Sequence, residues 1–160
     1  MKEIFLTQNK IALVDDDDFE WLSKFTWCSS YMKKSGLFYA ITGSHNRDFL
    51  GSTLMHRAIM KPDKTMQVDH IDHNTLNNQK NNLRICSNHE NHKNIRLQKN
   101  NKSGICGVYF YPKRNKYAAY IQVNGKSKFI GHFDNIDDAS SARKLAEIQF
   151  NFHANHGGVF

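Results

Sequence analysis

Residues 1–65 alternate between hydrophobic and polar positions over short distances, which is typical of strands. Residues 6–10 and 11–14 predict a strand, a turn and a second strand, and residues 38–42 predict another strand. This part of the chain is therefore predicted to be β-rich.

Two further stretches of the same region are less regular. Four consecutive acids, Asp15 to Asp18, precede the apolar residues 19–22. Because acids stabilise the positive end of a helix dipole, this order predicts a short helix. Residues 53–60 fit either a helix or a strand, and Pro62 ends them.

Residues 66–96 have a different pattern. Residues 66–71 and 83–86 predict two short strands, separated by a polar loop over residues 72–82. Ser87 and Glu90 then have the spacing of a capping box, in which each side chain bonds to the backbone of the other, and they predict a helix over residues 88–96. The order is strand, loop, strand, helix, and a polar linker over residues 97–104 follows.

Residues 105–160 predict a three-stranded antiparallel sheet with one helix. Alternation predicts strands over residues 106–111, 116–123 and 127–133. Asn124 and Gly125 favour a hairpin turn, since both tolerate positive φ. From residue 136 to residue 150 the apolar positions recur at helical spacing, with Asn135 as the N-cap.

One helix covers only one face of such a sheet. The period of two assigns one set of residues to the helix side: Val108, Phe110, Ala119, Ile121 and Val123. The opposite face then carries Tyr109, Tyr111, Ala118, Tyr120, Gln122 and Phe129, with a basic rim of Lys113, Arg114, Lys116 and Lys126. An aromatic face within a basic rim indicates a partner, either nucleic acid or the N-terminal region of the same chain.

These patterns predict an α+β fold in four parts. They are a β-rich N-terminal region over residues 1–65, a ββα core over 66–96, a linker over 97–104, and the sheet with its helix over 105–160.

Composition and charge narrow the class of protein. The 160 residues carry a formal net charge of +7, and six of the seven excess positive charges lie in residues 66–160. An apolar content of 39% argues against a disordered chain, and no apolar run has the roughly 18 residues that a membrane span needs. Three cysteines without a CxxC pair disfavour a zinc ribbon. We expect a basic, cytoplasmic protein with an anionic partner, most simply nucleic acid, and no membrane partner.

The ββα segment carries the residues suited to chemistry. Asp69 and His70 are adjacent, Asn82 follows after eleven residues, and Asn91 follows after eight more. A carboxylate and an amide oxygen can hold one hard divalent cation. A neutral imidazole beside it can take a proton from water near neutral pH. Hydrolysis of a phosphodiester needs those parts.

On these residues the chain resembles the HNH endonucleases in their His-Asn-Asn form. The resemblance lies in residues 68–72, in residues 81–84 and in Glu90-Asn91. It implies a ββα-metal fold with His70 as the general base, Asp69 as a metal ligand and Asn82 as the residue that orients the base. It implies Asn91 as the second metal ligand, and an amide there favours Mg²⁺ or Mn²⁺ over zinc. His89 and His92 are rivals of Asn91, and His73 is a rival base.

Residues 105–160 resemble AP2-type DNA-binding domains. The matching stretches are residues 107–108, 117–121 and 129–134 and the helix that begins near Asp137. The resemblance implies a sheet laid into the major groove of double-stranded DNA. By position, its DNA-binding residues would include Tyr109, Tyr111, Lys113, Arg114, Lys116, Tyr120, Gln122, Lys126 and Phe129.

Together the resemblances indicate a metal-dependent DNA endonuclease of the homing type, from a phage or mobile element, acting as a monomer or a transient dimer on DNA. They imply products with 5′-phosphate and 3′-hydroxyl ends. The alternative is a sequence-specific DNA-binding regulator with an inactive HNH-like segment, and a third interpretation is a nuclease of low specificity.

Overall fold

The computed structural model describes residues 1–33, 35–43, 52–98 and 100–158. The chain forms two compact units, Met1–Asn88 and His89–Phe160. Among the described residues, no helix has both the length and the apolar character needed to cross a bilayer.

The first unit begins with an antiparallel pair, β1 (Lys2–Phe5) and β2 (Ile11–Val14), followed by the short helix α1 (Asp16–Leu22). The second strand and the helix confirm their predictions. The first strand lies upstream of the predicted residues 6–10, because Gln8 and Asn9 adopt positive φ angles and place the turn there.

A three-stranded antiparallel sheet follows, made of β3 (Trp27–Met32), β4 (Leu37–Thr42) and β5 (Thr53–Leu54), with α2 (Met55–Met60) directly after it. The prediction of β4 is confirmed, whereas β3 was not predicted from the sequence. The ambiguous stretch of residues 53–60 contains both elements, two residues of strand and then a helix.

The unit ends with the hairpin of β6 (Gln67–His70) and β7 (Leu83–Cys86), which pair antiparallel with Asp69 opposite Arg84. The long loop between them closes with a 3₁₀ turn over Lys80–Asn82. Along the chain, α3 (Asn88–Asn91) comes next, followed by a 3₁₀ turn over His92–Asn94. The helix is therefore shorter than the predicted span of residues 88–96.

One hydrophobic core unites the N-terminal strands with the hairpin. Leu83 of β7 is buried in the same cluster as Ile4, Val14 and Met55, and Val68 packs against that cluster. Residues on both sides of the predicted boundary at residue 65 therefore stabilise one another. The four-part domain division itself stays a prediction.

The second unit contains the three predicted strands and their helix. They are β8 (Val108–Tyr111), β9 (Lys116–Val123) and β10 (Lys126–Phe133), arranged in the order β10-β9-β8, and α4 (Ile136–Gln149). Asn135 caps α4, since its side chain accepts a hydrogen bond from the Asp138 amide at 2.8 Å. Val108, Ala119 and Ala139 form the core between sheet and helix.

The two faces of this sheet follow the predicted alternation, with one difference. Phe110 lies opposite Tyr117 on the predicted helix side, although it is 49% exposed because β8 is an edge strand. Ala118 lies on the predicted open face and is buried there between its cross-strand neighbours Tyr109 and His132. Lys126 lies opposite Val123 and so on the helix side of the sheet, since cross-strand partners share a face.

Candidate active site

His70 ends β6 and is buried, with 4% of its surface exposed. Its Nε2 atom lies 3.3 Å from Oδ1 of Asn78, which is 1% exposed. The Asn78 Nδ2 group donates to the Leu76 carbonyl at 3.2 Å. The side chain that contacts the imidazole therefore comes from the loop between β6 and β7.

Two aromatic rings pack against the same imidazole. The His56 ring from α2 lies edge-on to His70, with centroids 5.0 Å apart and an interplanar angle of 86°. Tyr39 of β4 lies 5.8 Å from His56 and 6.3 Å from His70, also edge-on. His70 is thus held by a ring cluster from elements well separated from it in the sequence.

Burial keeps both histidines neutral near neutral pH. Desolvation lowers the pKa of His56 from 6.5 to about 3, and the charges of His70 and Arg57 act in the same direction. Burial also lowers the pKa of His70 below 6.5, although the hydrogen bond with Asn78 and the nearby carboxylates of Asp69 and Asp72 oppose that shift. A neutral imidazole is the form that can accept a proton.

Asn82 contacts the loop rather than the imidazole ring. Its Oδ1 accepts from the Asp72 amide at 2.9 Å, and its Nδ2 donates to the Asp72 carboxylate and to the Asn77 carbonyl, both at 2.8 Å. The Asp72 carboxylate also accepts from Asn77 Nδ2 at 2.9 Å and from the Asn74 amide at 2.7 Å. This network fixes the shape of the loop that carries Asn78.

Asp69 forms an ion pair across the hairpin. The Nε and NH2 groups of Arg84 donate to its Oδ2 atom at 3.0 and 2.7 Å. Both groups are largely shielded from solvent, with side-chain exposures of 28% for Arg84 and 11% for Asp69. The pair holds the Asp69 carboxylate in place across the hairpin.

The residues near His70 suit a hard cation that keeps several of its waters better than a metal site in which the protein supplies every ligand. No group of three or more His, Cys, Asp or Glu within the described part of the chain could hold an ion by itself. Mg²⁺ usually keeps several waters and binds through one or two carboxylates together with substrate phosphates. The Asp69 carboxylate is an oxygen donor of that kind.

The remaining predicted site residues are Asn91 with its rivals His89 and His92, and the rival base His73. Asn91 ends α3 and belongs to the second unit, as does its rival His92, which is exposed. The side chain of the other rival, His89, lies outside the described part of the chain. His73 is buried, and its amide donates to the His70 carbonyl at 3.0 Å.

The open face of the second unit carries a chain of ring contacts. Tyr109, Tyr120, Phe129, His132 and Tyr111 follow one another with centroid separations of 6.4, 5.2, 4.9 and 6.0 Å. Gln122 is exposed, as are Lys113 and Arg114 in the turn after β8, and Lys116 forms an ion pair with Asp134 at 2.9 Å. His132 was not among the residues predicted for this face.

Sequence reasoning missed Asn78 and His56 as neighbours of His70. Asn78 is one of several asparagines in a polar loop, and nothing in its local pattern marks it. His56 lies in the stretch whose secondary structure was ambiguous. Its spacing from His70 carries no signal, because the two meet only through packing of α2 against the hairpin.

Comparison with known proteins decides the family. A family model for HNH endonucleases matches residues 61–93, the segment that contains Asp69, His70, Asn82 and Asn91. A protein of Acanthamoeba polyphaga mimivirus, named as the uncharacterized HNH endonuclease L560, is 31% identical over 140 residues, which cover 84% of this chain and 67% of that protein. The chain belongs to the HNH endonuclease family.

As an HNH endonuclease, the protein is a hydrolase that acts on DNA, and enzymes of this family generally use a divalent metal ion. Protein 3.8 of Escherichia phage T7 is a further relative, 35% identical over 63 residues that cover 39% of this chain and 52% of that protein. No solved structure matches the chain.

Proposed function

We propose that this HNH endonuclease hydrolyses phosphodiester bonds of double-stranded DNA with His70 as the general base. The observation that carries the proposal is the state of His70: it is buried, its pKa is lowered, and Asn78 holds its ring. A general base must be unprotonated at the working pH and fixed in direction, and the burial of His70 and its hydrogen bond with Asn78 support both conditions.

Asp69 and Asn91 would hold a divalent cation, with Mg²⁺ or Mn²⁺ suited to these oxygen donors. When bound, such an ion offsets negative charge on the phosphoryl oxygens and on the leaving oxygen.

His70 would take one proton from the attacking water, whose oxygen forms a new bond to phosphorus while the bond to the 3′ oxygen breaks. The 3′ oxygen would leave with the electron pair of the broken bond and take a proton from solvent water, so the products carry 5′-phosphate and 3′-hydroxyl ends. Asn82 would act through the loop, since it binds Asp72 and Asn77 and so fixes the segment that carries Asn78.

The second unit would position the nuclease on the duplex, as in the AP2-type domains that it resembles. Its exposed rings, Gln122 and nearby basic residues support this role. Lys and Arg contacts with phosphates make binding fall steeply as salt rises. We place Lys126 on the basic margin of the helix side and the other predicted DNA-binding residues on or beside the open face.

A homing role, in the host cell of a virus or mobile element, is part of the proposal, and the mimivirus and phage relatives support it. With one site per chain, a monomer would cut one strand, and a double-strand break would need two chains or two visits.

A plasmid-nicking assay with Mg²⁺ or Mn²⁺ tests the base. We expect His70→Ala to abolish nicking and to leave DNA binding unchanged. Lost binding would make His70 a structural residue. If the unaltered protein binds its DNA tightly and never nicks it, the alternative of a DNA-binding regulator replaces this proposal. Equal cutting of unrelated DNA at physiological salt would indicate a nuclease of low specificity.

A pair of neighbouring variants tests the second ligand. We expect Asn91→Ala to raise the Mg²⁺ concentration needed for half-maximal nicking and His92→Ala to leave it unchanged. The reverse pattern would transfer the ligand role to His92.

A further inference from the structure

The amide of Asn78 is oriented by its own hydrogen bonds. Its Nδ2 group donates to the Leu76 carbonyl at 3.2 Å, so its Oδ1 atom faces His70. A carbonyl oxygen only accepts hydrogen bonds, and therefore Nε2 of His70 must be the donor. In the neutral ring the proton then lies on Nε2, and Nδ1 holds the lone pair.

The backbone of Asn78 is anchored as firmly as its side chain. Its amide donates to the Leu13 carbonyl at 2.7 Å, and the Leu13 amide donates to the Leu76 carbonyl at 2.9 Å. Leu13 belongs to β2, whose neighbours Ala12 and Val14 lie in the core with 0% exposure. The N-terminal strands thereby fix the position of the atom that receives the His70 proton.

Asn82 does not bond to the imidazole ring of His70. Each of its side-chain hydrogen bonds described above ends on Asp72 or Asn77. The two asparagines therefore have different tasks: Asn82 shapes the loop, and Asn78 bonds to the imidazole ring.

We propose that Asn78 is a positioning residue that holds His70 in the Nε2–H tautomer and so makes Nδ1 the atom that takes the proton from water. The inference rests on the proposed role of His70 as general base. A partner on the far side of a catalytic histidine sets which ring nitrogen is the base, so its loss misplaces the lone pair without removing the imidazole.

The tautomer can be measured without any cleavage. We expect long-range ¹H–¹⁵N correlation spectra of histidine-labelled full-length protein at pH 7.5, assigned with His70→Gln, to show His70 protonated at Nε2. In Asn78→Leu, which removes the acceptor at similar size, we expect a mixture of tautomers. Asn81→Leu is the matched control, because Asn81 is an exposed asparagine of the same loop, and it should keep the Nε2–H form.

Kinetics separate positioning from binding. We expect Asn78→Leu to lower kcat for nicking about 10-fold to 100-fold, the range seen for partners of this kind, with KM for DNA changed less than about twofold. Asn78→Asp keeps an acceptor oxygen toward His70 and should keep its proton on Nε2, and because the added negative charge raises the pKa of His70, kcat should recover only at higher pH.

An Nδ1–H tautomer in the unaltered protein would overturn the inference, as would a normal kcat and tautomer in Asn78→Leu. If Asn78→Leu fails to fold, the tautomer of the unaltered protein and the kcat of Asn78→Asp decide. If His70→Ala still nicks DNA, the role of His70 as base fails, but the spectra still report whether Asn78 sets the tautomer.

Discussion

The carboxylate of Asp15 accepts a hydrogen bond from the backbone amide of Lys80 at 2.8 Å, across 65 positions of the chain. Its other oxygen accepts from the Gln79 side chain at 3.2 Å. Lys80 begins the 3₁₀ turn that ends at Asn82. Asp15, which lies before α1, therefore stabilises the turn that carries the predicted site residue Asn82. The N-terminal region thus contributes to the structure of the candidate active site.

This relationship predicts the effect of Asp15→Ala. A hydrogen bond from a backbone amide to a charged partner contributes about 1.5–3 kcal/mol, so we expect the free energy of unfolding to fall by about that amount. We also expect slower nicking, because the turn of Asn82 loses its anchor. Asp17→Ala removes an exposed acid two positions away and should change stability by less than about 0.5 kcal/mol. Equal effects of the two variants in urea denaturation would contradict the role of Asp15.

Because His56 is buried, we expect the free energy of unfolding to depend on pH. Its pKa falls from 6.5 in the unfolded chain to about 3 in the folded one, so between these values the unfolded state binds the proton and the folded state does not. Stability is fully present above pH 6.5 and is lost as the pH falls, by about 2 kcal/mol at pH 5 from this residue alone.

The measurement is urea denaturation at pH 7.5 and pH 5.0. His56→Phe keeps an aromatic ring but does not titrate, so the difference in stability between the two pH values should shrink by about 2 kcal/mol. An unchanged difference would mean that His56 is not held neutral by burial.

The open sheet face predicts which substitutions weaken DNA binding. Tyr120 and Gln122 are exposed on the central strand of that face, and we expect each change to Ala to raise Kd about tenfold, or about 1.4 kcal/mol. Ile148→Ala is the control, because Ile148 is an apolar side chain on α4 that is 73% exposed. Binding measured by fluorescence anisotropy at fixed salt checks this. Unchanged affinity in both sheet variants would remove the face from the DNA interface.

Two glycines have the same φ angle, but we expect their replacement by alanine to lower the stability of the fold by different amounts. Gly107 and Gly125 both have φ of +75°, but a Cβ at Gly107 would lie 2.4 Å from the Tyr120 carbonyl oxygen and 2.7 Å from Arg143 Nε, whereas Gly125 has nothing within 4 Å. Gly125→Ala should cost only the backbone strain, about 1–2 kcal/mol. Gly107→Ala should cost clearly more, and thermal unfolding distinguishes the two. Equal losses would mean that the clash at Gly107 relaxes freely.

Local rules account for what the sequence predicted well. Asn124 and Gly125 take the positive φ angles that a tight hairpin needs, and Asn135 caps α4 as expected. These features depend on residues within one turn of each other. The adjacent pair of Asp69 and His70 on a strand also follows from local pattern.

The errors of the prediction arise where the local pattern is weak or where the structure depends on more distant residues. The helix after Ser87 is shorter than its capping signal indicated, and β3 has no clear alternation of apolar and polar residues. The exposure of Phe110 depends on its place at an edge of the sheet, which the period of two does not encode.

The sequence by itself determined the family motif and the strands and helix of the second unit, and it predicted the acid and the imidazole of the site. Only the tertiary structure decided what surrounds His70: the rings of His56 and Tyr39 and the amide of Asn78. The reason is physical. Backbone conformation and periodicity are set by near neighbours in the chain, whereas burial and tautomer are set by side chains that meet only when the core packs.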